Sequence, residues 1–129
     1  MSQDPAFAGQ SGPFWVLLLQ RDAPDVLYEA AAMTAAAVSL GVDVTLVWFD
    51  KALDLLASGQ LHEDASGLGR VARLFAEARE TGRVRMLACS ASMVGGTETP
   101  DAVRQHVDGI IGWPTTISLI RRAERSFVW

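Results

Sequence analysis

Apolar positions along this chain come in short dense runs, separated by alanine-rich or polar stretches, and each run predicts one element. Phe14-Trp15-Val16-Leu17-Leu18-Leu19, closed by Gln20-Arg21-Asp22, is how a strand buried on both faces reads. Asp22 and Asp25 flank Pro24 as a helix start, and the alanine-rich stretch 26–40 ends at Gly41, which predicts the first helix. Ala30, Ala31, Ala32, Ala35, Ala36 and Ala37 leave little side chain there, so that helix should pack close to the sheet. Val42-Asp43-Val44-Thr45-Leu46-Val47-Trp48-Phe49, β-branched and aromatic, is a second strand ending at Asp50. Residues 51–56 suit a short helix, and 58–67 are polar enough for an exposed loop, either a lid or simply mobile.

Between 68 and 81, Leu68, Val71, Ala72, Phe75 and Ala78 recur at three- and four-residue spacing with Arg70, Arg73, Glu77 and Glu80 between them. That is an amphipathic helix, ended by Gly82. A third strand over 84–88 leads to Cys89 and a small-residue turn, Ser90-Ala91-Ser92-Met93. Gly95-Gly96 marks a flexible loop, and Thr99-Pro100-Asp101 opens a short helix to about His106. Val107-Asp108-Gly109-Ile110-Ile111-Gly112 is a weaker strand, Pro114 opens a last helix over 115–122, and Ser126-Phe127-Val128-Trp129 is a short final strand. Strands alternating with helices predict an α/β sandwich with a mainly parallel sheet.

Composition narrows this picture. With 129 residues, half of them hydrophobic, the chain fits one domain over 14–129 behind a disordered polar leader, 1–13. The leader lacks the basic and apolar regions of a signal peptide, and no apolar run reaches the length of a membrane span. A net charge of −4 with scattered arginines leaves no basic stripe for nucleic acid. One cysteine and no export signal fit a reducing cytoplasm. A mean hydropathy of +0.20, with four tryptophans, suggests a surface covered by another subunit.

In an open α/β sheet, ligands collect at the carboxyl ends of the strands. Here those ends are 20–24, 48–51, 89–93 and 112–115, so the expected mouth holds Cys89 with Asp22, Trp48, Asp50, Ser90, Ser92, Met93 and Trp113. A cysteine between a strand end and a helix start would meet backbone N–H groups and a helix dipole, which favour the reactive thiolate. The alternative is a buried cysteine that fills space as a small hydrophobe, and exposure decides between the two.

Sharper motifs fail at single residues. A low-molecular-weight phosphatase loop needs an arginine where Gly95 stands, and dithiol exchange needs a second cysteine where Ser92 stands. Gly67-Leu68-Gly69-Arg70-Val71-Ala72 matches a dinucleotide fingerprint only formally, because no strand precedes it. His62 and His106 have no ligand-spaced partners, although either could approach Cys89 as a base. Asp22 and Asp25 suit helix capping better than acid–base work. No motif calls for a cofactor or a resident metal.

In its order of segments the chain resembles the DsrE/DsrF-like family of small sulfur-relay domains, which includes the TusD-type subunits. The resemblance runs from Phe14 to Trp129. It rests on the alanine-rich first helix followed by Gly41-Val42-Asp43-Val44-Thr45-Leu46-Val47, on Leu87-Ala88-Cys89-Ser90-Ala91-Ser92, and on the segment from Val107-Asp108-Gly109-Ile110-Ile111-Gly112 to Phe127-Val128-Trp129. It implies a three-layer α/β/α sandwich on about five mostly parallel strands, and assembly into homotrimers or homohexamers. It also implies sulfur carriage as a persulfide on Cys89, between donor and acceptor proteins. The other expectation, from a different class, is a non-catalytic oligomeric module that binds a small apolar ligand or a partner beside Trp48 and Trp113.

Overall fold

The apolar runs become strands and the alanine-rich and amphipathic stretches become helices, in the computed structural model that describes residues 12–62 and 68–129. Residues 1–11 of the expected leader, the side chain of His62, and residues 63–67 of the expected loop lie outside the described residues. In chain order the elements are β1 (Phe14–Leu19), α1 (Pro24–Ser39), β2 (Asp43–Trp48), α2 (Asp50–Ser58), a 3-10 turn (Gln60–His62), α3 (Gly69–Glu80), β3 (Val84–Cys89), α4 (Ser90–Met93), α5 (Pro100–Arg104), β4 (Gly109–Ile111), α6 (Trp113–Arg122) and β5 (Arg125–Val128). Pro24 and Asp25 open α1, and Gly41, at φ 82°, takes the left-handed turn after it that a side chain would resist. Trp113 and Pro114 stand in the first turn of α6, two residues earlier than the periodicity predicts.

All five strands join one sheet in the order β4-β3-β2-β1-β5, and every neighbouring pair is parallel. The chain steps β1 to β2 to β3 to β4 in one direction, then crosses back through α6 to place β5 beside β1. Right-handed crossovers running one way put their helices on one face, and the reversed crossover puts α6 on the other. The resulting three layers are visible in the core. Leu17, Leu46, Trp48, Met86 and Ala88 pack with Leu27, Ala30, Leu53, Val71, Phe75 and Val103 on one face. Val16, Leu18, Val47, Leu87 and Cys89 pack with Leu119 of α6 on the other. Ala30 and Ala31 are fully buried, as the small residues of a helix lying close to the sheet must be.

The short β4 is held by a side chain. Asp108 accepts the Met86 N–H at Oδ2 (2.8 Å), its own N–H donates to the Met86 carbonyl (2.7 Å), and Arg79 of α3 donates to Oδ1 (3.0 Å). This carboxylate extends the β3 ladder by one position, which is why β4 starts at Gly109 rather than Val107. At the other edge, the Trp129 N–H donates to the Leu18 carbonyl and the Gln20 N–H to the Trp129 carbonyl, so the final residue is tied to β1.

Candidate functional site

Four of the parallel strands end together, and the loops that leave them enclose a cleft of about 230 Å³. Gln20 follows β1, Phe49 and Asp50 follow β2, Ala91 and Ser92 follow β3, and Trp113 follows β4. Backbone bonds fix these loops to one another: the Phe49 N–H donates to Leu19 and the Ala52 N–H to the Gln20 carbonyl, which satisfies one orphan donor at the start of α2. Asp50 has φ 47°, in the left-handed region where aspartate is more at ease than most residues. Its carboxylate in the first turn also suits the helix dipole.

Inside the cleft, Ser92 Oγ donates to Asp50 Oδ1 at 3.1 Å, joining the ends of β2 and β3. Asp50 Oδ2 has no partner among the described residues. The Trp113 and Phe49 rings lie 5.2 Å apart at 31°, with Phe49 buried and Trp113 49 % exposed. The arrangement therefore offers a carboxylate, a hydroxyl and a held indole to whatever enters. Among the described residues, no group of three or more His, Cys, Asp or Glu could hold a metal ion.

Cys89 is at the end of β3 as its position implied, but it is 0 % exposed. Its neighbour in register is Ile111 of β4, and Phe49 stands one step past the Trp48–Ala88 pair on the other side. Both share its apolar cluster with Phe14, Val16, Leu18, Val47, Leu87 and Leu119. Phe49 belongs both to that cluster and to the cleft lining, whereas Cys89 does not line the cleft. The α4 turn after Cys89 is four residues long, too short for a substantial dipole.

The other expected site residues divide. Asp50, Ser92 and Trp113 come together in the cleft. Trp48 does not: strand alternation turns it to the opposite face, where it is fully buried and meets Phe75 edge-on at 5.6 Å. Its indole N–H has no acceptor among the described residues. Asp22 lines a neighbouring surface cleft with Lys51, Asp54 and Glu98. Met93 packs against the core on the α1–α3 face, and Ser90 Oγ would stand 3.6 Å from a Cβ placed on Gly112, against the start of α6. Sequence reasoning missed Gln20, Phe49 and Ala91 as lining. Each had been placed at a strand end, but only the side of the strand each one faces decides the matter.

A model of the DsrE/DsrF-like family matches residues 16–120, which takes in most of β1 through most of α6 and includes both the cleft and Cys89. The chain belongs to the DsrE/DsrF-like family. That family is linked to sulfur relay. A solved structure, that of a protein of unknown function from Methanobacterium thermoautotrophicum, superposes with a TM-score of 0.65 at 13 % identity, over 90 % of this chain and 99 % of that one. At that identity the likeness concerns the fold. No functionally curated protein matches the chain. Among the described residues, this DsrE/DsrF-like domain has no helix long and apolar enough to cross a membrane.

Proposed function

We propose that this DsrE/DsrF-like domain works as a binding module. A small ligand or a partner's segment enters the cleft at the carboxyl edge of the sheet, and Cys89 forms part of the apolar wall behind it. One contrast supports this reading: the cleft residues Asp50, Ser92 and Trp113 face open space, while Cys89 has no solvent access. A thiol that cannot meet a donor cannot take sulfur from it. The test is iodoacetamide alkylation of the native protein against the urea-unfolded protein. Access only through rare opening slows the native reaction by about a thousandfold or more. A native rate within about tenfold of the unfolded one would overturn the reading, since no opening of that frequency fits a buried core position.

A second reading, sulfur relay through Cys89, is favoured by the family match that spans this residue. In it, the Cys89 thiolate attacks the terminal sulfur of a donor persulfide, the donor's S–S bond breaks, and the donor leaves as a thiolate. Cys89 then carries the persulfide, with no external oxidant consumed. Cys89, fully buried, would first have to become exposed. Intact mass after incubation with a persulfide donor, without reductant, decides it: a gain of one sulfur atom that Cys89→Ala lacks supports relay, and no gain removes it. Assembly into a homotrimer or homohexamer is part of both readings. Ile117, exposed on α6, and Val128 on the edge strand β5 supply apolar surface for it outside the cleft. Size-exclusion with light scattering tests this directly, and a monomer would refute it.

A further inference from the structure

We propose that the cleft is selective for a cationic group, a primary ammonium on a short methylene chain. The inference rests on the cleft being the working site, and it adds the class of ligand. Three features of the lining carry it. Among the described residues Asp50 brings the only charged side chain of the lining, with Oδ1 held by Ser92 and Oδ2 unpartnered. Trp113 presents a half-exposed indole, kept in place by Phe49, and an indole face attracts ammonium more strongly than other aromatic rings do. Phe49 and Ala91 supply apolar wall for methylenes. A volume of about 230 Å³, room for about seven waters, fits a butylammonium-sized group.

The opposite preference has to be weighed, because α2 and α6 both begin at this cleft. Each N-terminus contributes about half a positive charge, and that of α2 already faces the carboxylate in its own first turn. The adjoining cleft, built from the residues after β1 and β2 and from 97–98, sets Asp22, Asp54 and Glu98 against Lys51 among the described residues. Full charges outweigh the half-charges of the helices, so the mouth as a whole is negative. An anion would also meet Asp50 directly.

The test follows the Trp113 indole N–H resonance in a nitrogen-labelled sample while neutral, cationic and anionic probes of one size are titrated in. The probes are N-acetyl-lysine methylamide, the norleucine analogue, the glutamate analogue, and n-butylammonium chloride. Trp113→Phe assigns the resonance among the four tryptophans. The lysine probe should bind about five- to tenfold more tightly than norleucine, the combined effect of an exposed cation–π contact and one charge-assisted hydrogen bond. Asp50→Gly keeps the left-handed backbone accessible while deleting the carboxylate, and it should abolish the difference. If lysine outbinds n-butylammonium, the source is a polypeptide; if the two are equal, it is a free amine. Norleucine binding as well as lysine would overturn the charge preference and leave the cleft a binding site. Tighter glutamate binding would reverse the preference outright. No response to any probe would overturn the inference, whereas the alkylation of Cys89 stands or falls separately.

Discussion

Replacing Cys89 by alanine and by serine separates a packed wall residue from a working thiol through stability alone. The side chain is fully buried among Phe14, Val16, Leu18, Val47, Phe49, Leu87, Ile111 and Leu119, none of which offers a side-chain hydrogen-bond partner. Cys89→Ala removes one heavy atom and leaves a small void, a cost of about 1–2 kcal/mol from lost transfer energy and cavity together. Cys89→Ser keeps the shape but puts a hydroxyl into the same apolar surroundings, where an unsatisfied group costs about 1–3 kcal/mol beyond the lost sulfur packing. Serine should therefore be the worse substitution by about 1–2 kcal/mol, even though it is the closer match in size. Urea unfolding with unchanged slope measures the order, and a melting-temperature gap of about 3–10 °C between the two variants should accompany it for a chain of this length. A serine variant as stable as wild type, or more stable than alanine, would show that the thiol sits in a polar or solvated place and would refute the packing described above.

Three further outcomes follow from single contacts. Asp108→Ala should cost about 1.5–3 kcal/mol, because it orphans the Met86 N–H and frees Arg79; Asp108→Asn, which keeps an acceptor, should cost less. Hydrogen exchange at the Met86 amide reads this locally, and unchanged protection in Asp108→Ala would contradict it. Leu119→Ala removes the fully buried leucine by which α6 enters the second core face and should lose about 2–5 kcal/mol in denaturant unfolding; a loss under about 1 kcal/mol would mean α6 is not needed there. Trp48→Phe leaves a void but also deletes a buried indole N–H that has no acceptor, so its net cost should stay below about 1.5 kcal/mol, well under the usual penalty for truncating a buried tryptophan. A larger loss would show that the indole nitrogen has a partner.

Much of the fold was legible because its signals are local. The run 14–19 is short, apolar and closed by polar residues, as a doubly buried strand is, the alanines of 26–40 carry their own helix, and Gly41 carries the turn after it. Element boundaries slipped where a side chain stood in for backbone, as Asp108 does in shortening β4 to three residues. The site was half legible. Strand ends can be found by where apolar runs stop, and Asp50, Ser92 and Trp113 were found that way. Which face each end residue takes is a matter of register, and one position of difference sent Trp48 to the α1–α3 face and Phe49 to the α6 face and the cleft.

By itself the order of residues determined an α/β chain with parallel strands, a cysteine closing the third strand and membership of the DsrE/DsrF-like family, since periodicity, helix caps and segment order are properties of the chain alone. Only the tertiary structure decided that α6 lies across the second face, that Cys89 is buried in one apolar cluster with Phe49 and Leu119, and that a carboxylate, a hydroxyl and an indole from three strand ends share one cleft. Burial is a relation between segments distant in sequence, and the accessibility of Cys89 depends on side chains that β1, β2 and α6 bring to it.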